Sequence, residues 1–380
     1  MKIFIYFIIK NISKTIILFI LFFIKIDILL YCQENEFITI GNYIIFGTEL
    51  YMYTGEEEHV IIPDNLGITR IGNAAFRPYG FSNRNLKSIV IPKGITSIGS
   101  EAFSGCYNLI NIILPEGLIR IEEGAFLSCT NIKNIIIPDS VIYIGGGAFK
   151  LCQNLENINI PANVVSPIGP FMFNHCLNLT NIIVNEQNPI YSSIDGILFN
   201  KDQTTLIKYP SGKTRQIYTI PLSVTAISPS AFEECKLVNI IIHERVISIG
   251  LHAFLECEQL IAIIVHEQNM EFTSINGVLF NKNITKLISY PAGIIERIYF
   301  MPSSVTIIEN RAFFGNHYLE QLIMNLNSRV NIREGAFGDC IKLRTVFVSR
   351  NSGIIPRRAG IVNSRYTIFG INVEIVYYDD

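Results

Sequence analysis

The sequence predicts a repeat solenoid of the α/β type, because one short pattern recurs along most of the 380-residue chain. Three consecutive copies read LKSIVIPKGITSIGSEAFSGCYN, LINIILPEGLIRIEEGAFLSCTN and IKNIIIPDSVIYIGGGAFKLCQN, at residues 86–108, 109–131 and 132–154. A period of this length is typical of a fold in which each repeat forms one coil and the coils stack. Equivalent residues of successive repeats are therefore expected to lie side by side in columns.

One such column consists of phenylalanines in Ala-Phe or Met-Phe steps, and its spacing also reveals two insertions. Successive members are about one repeat apart, except between Phe173 and Phe232 and between Phe254 and Phe313, where the gap more than doubles. The stretches 194–212 and 275–293 within these gaps align with each other. The column comprises Phe76, Phe103, Phe126, Phe149, Phe173, Phe232, Phe254, Phe313 and Phe337.

The order of residues within one repeat predicts how a coil is built. Residues 86–91 alternate apolar and other side chains, which indicates a short β-strand, and Pro92 ends the strand because proline cannot donate to a ladder. Gly99 marks a turn, and the Ala-Phe step is predicted to form a short helical or 3₁₀ turn on the opposite side. The side chains expected to face the core are Leu86, Ile89, Ile91, Ile95, Ile98, Phe103 and Cys106.

The insertions carry a strand–turn–strand signal, LF-NKDQT-TLIKY in the first, so we predict two β-hairpins that project from the solenoid. Residues 37–62 look like a shortened version of the same hairpin. The expected organisation is a signal peptide or membrane anchor at 1–32, an N-terminal hairpin cap at 33–62, a solenoid at 63–348 with hairpin insertions at about 186–218 and 267–299, and a C-terminal cap at 349–380.

The first 32 residues differ from the rest of the chain. Three lysines precede an uninterrupted apolar run from Thr15 to Ile24. This run is too short for a membrane span and fits the core of a signal peptide. An uncleaved anchor over residues 3–31 is the alternative, and lipidation of Cys32 is a further one. Each of them predicts a secreted or cell-surface protein.

Seven of the eight cysteines occupy one repeat position, three places after the Phe. The column could form disulfides or a metal cluster in an exported protein, or it could be a ladder of small buried thiols. Asn316 replaces Cys at one rung, which favours the buried thiols. The column consists of Cys106, Cys129, Cys152, Cys176, Cys235, Cys257 and Cys340.

Composition and motifs argue against several classes of function. The net charge of −2 argues against electrostatic binding to nucleic acid or to anionic membranes. The chain lacks GxSxG, HExxH, CxxC and the dinucleotide-binding glycine pattern. His243-Glu244 and His266-Glu267 recur one repeat apart and could in principle hold a metal, but a polar column at the edge of the sheet is the favoured interpretation. We therefore expect no catalytic site, no cofactor and no metal.

The outward side chains of the predicted sheet are the candidate functional residues. One outward column is mostly polar, and the next is apolar at every position except Asn159, although it should face water. A continuous exposed apolar stripe typically marks an interaction surface, whereas the structural alternatives are β-propensity alone or cover by the insertions. The residues predicted to bind a partner are Val90, Ile113, Ile136, Ile183, Ile241, Ile264, Ile323 and Phe347, with Asn111, Asn134 and Asn157 beside them.

The repeat pattern L-x-x-I-x-I-P-x-x-V-x-x-I-G-x-x-A-F-x-x-C resembles the BspA-like class of leucine-rich repeats. Residues 132–154 match it nearly in full, and the resemblance covers roughly residues 38–348. The extra residue in 155–178, and His243 and His266 in place of Pro, depart from it. The resemblance implies an exported or surface microbial protein that takes part in adhesion and binds host or matrix proteins, with no catalytic residues to carry over.

Three hypotheses follow for the function. The leading one is a non-catalytic secreted or cell-surface scaffold that binds a protein partner through the exposed sheet. The second is a surface-coat or self-associating protein, in which the sheet pairs with another copy. The third, an enzyme acting on polysaccharide, needs clustered acidic or basic residues, whereas the outward columns offer Asn and Ile.

Overall fold

The structure is a computed structural model that describes residues 37–78, 85–324, 330–349, 365–368 and 371–378. The predicted signal peptide or anchor at 1–32 and most of the predicted cap at 349–380 lie outside the described residues. Within the described ranges, no helix has the length and apolar character that crossing a membrane requires.

Each coil has three sides around a shared core. In the repeat at 86–108, a strand at Ser88–Val90 belongs to a first parallel sheet, and a shorter strand at Ser97–Ile98 belongs to a second. Turns form the third side. All seven side chains predicted to face the core of this coil are buried, with exposed fractions between 0 and 3%. The prediction of stacked coils with this inward pattern is confirmed.

The prediction of helical turns at the Ala-Phe steps is wrong for most coils. Around Phe103, both Glu101 and Gly105 have left-handed backbones, with φ of 55° and 76°. Residues in this conformation interrupt a right-handed helix. The freed amides bond instead to the next coil, where the Phe103 amide donates to the Ala125 carbonyl at 2.8 Å. Helix in the described residues is limited to two 3₁₀ turns, Asp64–Leu66 and Pro170–Phe173.

The first module, residues 37–184, begins with three antiparallel strands, and the third of these strands pairs in parallel with the second sheet. The first sheet then alternates with the second along the chain. The strands are β1 (Phe37–Ile40), β2 (Tyr43–Phe46), β3 (Glu49–Tyr53), β4 (His59–Ile61), β5 (Arg70–Ile71), β6 (Ser88–Val90), β7 (Ser97–Ile98), β8 (Asn111–Ile113), β9 (Arg120–Ile121), β10 (Asn134–Ile135), β11 (Tyr143–Ile144), β12 (Asn157–Ile160) and β13 (Asn181–Val184).

The second module, residues 191–265, repeats this plan. Three antiparallel strands lead into the second sheet, and β16 pairs in parallel with β18. Its strands are β14 (Tyr191–Ile194), β15 (Ile197–Asn200), β16 (Thr205–Lys208), β17 (Ile217–Thr219), β18 (Ala226–Ile227), β19 (Asn239–Ile242), β20 (Ser248–Ile249) and β21 (Ala262–Val265).

The third module has its coils at residues 272–349 and follows the same order. It is closed beyond them by β31, which pairs in parallel with β29 and antiparallel with β30. The strands are β22 (Phe272–Ile275), β23 (Val278–Asn281), β24 (Lys286–Ser289), β25 (Ile298–Met301), β26 (Ile307–Ile308), β27 (Gln321–Met324), β28 (Asn331–Ile332), β29 (Thr345–Ser349), β30 (Arg365–Ile368) and β31 (Ile371–Tyr378).

The insertions do not form the projecting hairpins that the sequence predicts. Their third strand is part of a coil, and the turn between the first two lies against the first sheet, where the Ile182 amide donates to the Gly196 carbonyl at 2.9 Å. Gly196 has a φ of 71°, and a Cβ there would lie 2.9 Å from the Asn181 Cα. A projecting hairpin would leave backbone groups unpaired at its edges, and this placement pairs part of them with the solenoid.

Each insertion also separates two cores. On β15, Ile197 and Phe199 pack into the core of the second module, whereas Leu198 between them packs into the core of the first. Alternate side chains of a strand point to opposite faces, so an all-apolar stretch such as Ile-Leu-Phe fits a strand that is buried on both sides. The second insertion does the same between the second and third cores, through Leu279 on one side and Phe280 on the other.

The phenylalanine column stacks ring on ring, and tyrosine begins the column in each module. Phe103 and Phe126 have ring centroids 5.4 Å apart with nearly parallel planes. Tyr209 stacks on Phe232 at 5.4 Å, and its amide donates to the Ala231 carbonyl at 2.8 Å, as a Phe at this position does. Tyr53 and Tyr290 stack in the same way on the Phe that follows each of them. Each of the two long gaps in the column therefore contains one complete coil, whose Tyr stands one repeat before the next Phe.

Replacing Tyr209 tests this assignment. The Tyr209 hydroxyl is buried without a hydrogen-bond partner among the described residues, so Tyr209→Phe is expected to leave the free energy of unfolding unchanged or to raise it by about 1–3 kcal/mol. Tyr209→Ala removes a buried ring and is expected to lower it by about 3–5 kcal/mol. Urea unfolding of both variants measures the difference. A large loss with Tyr209→Phe would show that the hydroxyl has an essential partner.

Candidate recognition surface

The outer face of the first sheet carries a ladder of asparagine side chains. The Asn157 Nδ2 donates to the Asn134 Oδ1 at 3.2 Å, and the Asn181 Nδ2 donates to the Asn157 Oδ1 at 2.8 Å. Asn111 and Asn134 are exposed, and Asn157 is half-buried. Stacking therefore brings Asn134, Asn157 and Asn181 together as a column, and their mutual hydrogen bonds hold these three amides in one orientation.

The predicted apolar residues lie beside this ladder. Ile136 is 79% exposed, Ile113 60%, Ile183 54% and Ile264 45%. The other four predicted residues, Val90, Ile241, Ile323 and Phe347, are only partly exposed. The sheet register pairs Val90 with Ile113, Ile241 with Ile264, and Ile323 with Phe347.

The polar exception in the apolar column has a structural task. The Asn159 Oδ1 accepts from the Ile137 amide at 2.9 Å, and its Nδ2 donates to the Ile137 carbonyl at 2.8 Å. Strand β10 spans only Asn134–Ile135, so the backbone of Ile137 has no ladder partner there. The amide side chain supplies both missing bonds, which explains why Asn interrupts the stripe.

The insertions divide the apolar column without covering it. The first insertion turn lies beside β13, and yet Ile183 on that strand remains 54% exposed. In this turn, Asp195 forms ion pairs with Arg215 at 2.9 Å and with Lys213 at 3.4 Å. The face therefore consists of three apolar segments, and a charged cluster separates the first from the second.

Two exposed apolar residues that the repeat pattern did not single out lie at the start of the first and third modules. Ile61 is 72% exposed and pairs in register with Val90. Phe300 is 69% exposed and pairs with Ile323. Each of these two strands is closely followed by a proline, Pro63 or Pro302, as β6 is followed by Pro92. That proline was a signal that could have placed these strands on the same sheet.

The cysteine column is a ladder of buried free thiols. The Cys129 Sγ donates to the Phe103 carbonyl at 3.1 Å, and the Cys152 Sγ donates to the Phe126 carbonyl at 3.2 Å. Six of the seven thiols bond in this way to a carbonyl of the preceding coil, whereas Cys235 contacts the Cys257 thiol at 3.2 Å. Where Asn316 replaces Cys, its Nδ2 donates to the Ile294 carbonyl at 2.8 Å. The column therefore joins coils to one another.

His243 and His266, the metal candidates from the sequence, serve the turns in which they lie. The two ring nitrogens of His243 contact the Pro221 carbonyl at 2.9 Å and the Arg245 amide at 3.1 Å. The Nδ1 of His266 accepts from the Gln268 amide at 3.3 Å. Nε2 of His243 faces a carbonyl, so it donates, and the lone pair on Nδ1 is taken by the Arg245 amide.

A second group, His175, Glu234 and Glu256, offers ligand atoms within 4.8 Å of one another and could hold a metal by distance alone. Glu234 accepts from the His175 amide at 2.8 Å and also contacts the His175 ring. Elsewhere this amide bonds to the next coil, as the Leu151 amide does with the Asn174 carbonyl. The Glu234 carboxylate therefore replaces a missing backbone acceptor. Burial and the nearby Glu234 carboxylate raise the pKa of Glu256.

Comparison with known proteins adds three findings. A family model for the BspA type leucine rich repeat region matches the chain in six copies, over residues 75–205, 211–300 and 295–359. A search among curated proteins returns no match. Among solved structures, the chain is similar to a leucine rich cell surface protein from Faecalibacterium prausnitzii A2-165, with 23% identity and a TM-score of 0.50, over 91% of this chain and 95% of that one.

A leucine-rich repeat protein from Eubacterium ventriosum ATCC 27560 is also similar, with 20% identity and a TM-score of 0.54, over 84% of this chain and 92% of that one. Identities at this level support a shared fold. The stacked parallel coils described above are that fold.

The buried thiols give a prediction on reactivity and pH. Burial raises the pKa of Cys106, Cys176 and Cys340 from an ordinary value of 9.0 to about 12. The folded state therefore keeps protons that the unfolded state releases. The resulting stabilisation is complete below about pH 9 and is lost as the pH rises from there through about 12. The urea concentration at the unfolding midpoint is therefore expected to fall as the pH rises across this range. In Cys106→Ala it is expected to fall less steeply than in the parent protein.

Labelling provides the companion measurement. Because the thiolate is the reactive form, iodoacetamide is expected to modify the seven repeat cysteines in urea and to leave them unmodified in the folded protein. Peptide mass spectrometry distinguishes the rungs. Rapid labelling of any rung without unfolding would contradict the burial of that thiol.

Proposed function

The chain belongs to the BspA-type leucine-rich repeat family, and from that premise we propose that it is a non-catalytic secreted or cell-surface scaffold that binds a protein partner through the outer face of its first sheet. The observation that carries the proposal is the column of exposed isoleucines, in which Ile113 and Ile136 are 60% and 79% exposed on consecutive coils. Water-exposed apolar side chains in a continuous column favour contact with another surface.

The energetics of this face suit a binding role. Burying one Ile side chain contributes about 1.5–3 kcal/mol, so a partner that covers two or three adjacent rungs gains enough to offset part of the cost of association. The Asn134–Asn157–Asn181 ladder beside the stripe offers amide groups that fix the partner's register. Strands in a sheet lie about 4.8 Å apart, so an extended partner would meet an equivalent side chain at each rung.

The cell-surface part of the proposal has separate support. The apolar run at Thr15 to Ile24 fits a signal peptide, and one solved structure of similar fold is a cell surface protein. Adhesion to host or matrix proteins is the specific role that we propose on this basis. The scaffold needs no catalytic group, because shape and apolar contact perform the binding.

Self-association is the alternative for the same face. A second copy of the chain could pack its own exposed isoleucines against the exposed isoleucines of the first copy. Light scattering of the purified protein at micromolar concentration separates the two cases, because a coat-forming protein gives dimers or larger species and a scaffold for another protein gives a monomer.

Paired charge substitutions test the binding face. Ile113→Asp combined with Ile136→Asp is expected to weaken binding to cells or immobilised matrix proteins by at least about 100-fold. The reason is that two isoleucines that a partner covers contribute about 3–6 kcal/mol to the free energy of binding. The matched control is Ile142→Asp with Val165→Asp, two side chains that are 43% and 54% exposed next to the second sheet. The control is expected to bind like the unaltered protein.

Both variants must keep the unfolding midpoint of the parent, since all four side chains are at the surface. A folded Ile113→Asp, Ile136→Asp protein that binds as tightly as its control would rule out this face as the binding surface.

A further inference from the structure

A cavity of about 350 Å³ opens between the second and third modules. It lies where the ring column is interrupted, between the coil of Phe254 and the coil of Tyr290. Its lining comes from the turns and from the second-sheet strands, among them Ile249, Ile288 and Glu309. The cavity is therefore separate from the recognition surface on the first sheet. Its volume falls within the range of about 300–1,000 Å³ that small-molecule sites occupy.

The equivalent place between the first and second modules is filled by a lysine. When the two insertions are aligned, Lys208 corresponds to Ser289. Lys208 is 1% exposed, and its Nζ lies 3.3 Å from the carbonyls of both Ser230 and Glu233, to which it donates. Ser289 is too short to reach across in this way. The second junction therefore lacks the long buried side chain that occupies the first.

Two further differences widen the second junction. At the first, Tyr191 is 5% exposed and its hydroxyl donates to the Ser166 carbonyl at 2.9 Å. The corresponding Phe272 has no hydroxyl and is partly exposed. Ile207 is 8% exposed at the first junction, whereas the corresponding Ile288 is also partly exposed. The two junctions share a backbone plan, but the second leaves apolar side chains uncovered.

The charged groups in the lining are mainly cationic. Glu309 pairs with Lys286 at 3.0 Å and with Arg333 at 2.6 Å. Arg311 adds another cation, and its guanidinium lies 5.5 Å from the centre of the Phe314 ring. Among the described residues, no carboxylate lies within ion-pair distance of Arg311. With three cations and one carboxylate, the lining carries a net charge of +2 when His252 is neutral.

Two polar atoms of lining residues are buried and lack hydrogen-bond partners among the described residues. They are the Nε2 of His252 and the hydroxyl oxygen of Tyr290. Burial and the nearby Arg311 lower the pKa of His252, so its ring is neutral at pH 7 and offers a donor or an acceptor. Unpaired buried polar atoms are costly in a folded protein. The Tyr209 hydroxyl at the first junction is unpaired as well, so only the His252 nitrogen distinguishes the second junction, and a polar group of a ligand in the cavity would pair it.

We propose that this cavity binds a small carboxylic acid with an apolar or aromatic body. Arg311 takes the carboxylate, as its planar guanidinium matches that group bidentately. His252 supplies a hydrogen bond, and the partly exposed faces of Phe272, Ile288 and Phe314 take the apolar body. This site goes beyond the proposed protein-binding function and does not depend on it.

The test uses the full chain with benzoate and indole-3-acetate as probes, and with benzamide and indole-3-acetamide as neutral controls. Saturation-transfer NMR detects binding, and calorimetry measures the Kd. We expect both carboxylates to bind saturably and the amides to bind at least about 10-fold more weakly, because they lack the charge that Arg311 recognises.

Variants locate the site. Arg311→Gln is expected to weaken carboxylate binding at least about 10-fold, and Ser289→Lys is expected to do the same by filling the cavity as Lys208 does. Arg297→Gln, at an arginine that is 76% exposed next to the first sheet, is the matched control and should bind like the parent. Circular dichroism checks that each variant folds. Arg311→Gln changes an exposed residue, so it still tests the site if Ser289→Lys does not fold.

Three results would overturn the proposal. They are no binding of either carboxylate, equal binding of acids and amides, or unchanged affinity in a folded Arg311→Gln protein.

Discussion

Every coil depends on the next one for its backbone hydrogen bonds. The Phe103 amide bonds to Ala125, and the Gly99 amide bonds to Ile71, so the turns as well as the strands are tied between coils. Buried amides and carbonyls without partners are costly, and this requirement fixes the spacing of everything else. Where a backbone bond between neighbouring coils is missing, a side chain of a later coil supplies it. Glu234 serves the His175 amide, and Asn159 serves the backbone of Ile137.

The repeat period was enough to predict the stack and its inward residues, because a core position repeats whenever the coil repeats. It was not enough for the turns. Leu151 has a left-handed backbone with a φ of 64°, a conformation that leucine rarely adopts alone and that bonding between coils imposes. Tyr209 was overlooked as a ring of the column because it differs from Phe by a hydroxyl. The placement of the insertions depends on distant contacts, which no local pattern contains.

For the candidate surface, the sequence could predict which residues share a column but not how far each one is exposed. Ile136 and Ile241 occupy equivalent positions, and yet Ile136 is 79% exposed and Ile241 is only partly so. Strand β10 spans Asn134–Ile135 alone, whereas β19 spans Asn239–Ile242, so the surroundings of the two side chains differ. Exposure depends on neighbours in three dimensions, whereas the column depends on register alone.

The strands that separate the cores bear on how such a chain changes over time. Because β15 and β23 are apolar on both faces, each core is already closed at its boundary by the first strands of the following module. The stretch from one of these boundary strands to the next therefore contains its own coils together with the boundary strand against which the first of those coils packs. Gene duplication or deletion of one such stretch would join matching boundaries, so the protein could lengthen or shorten by whole modules while each remaining core stays intact.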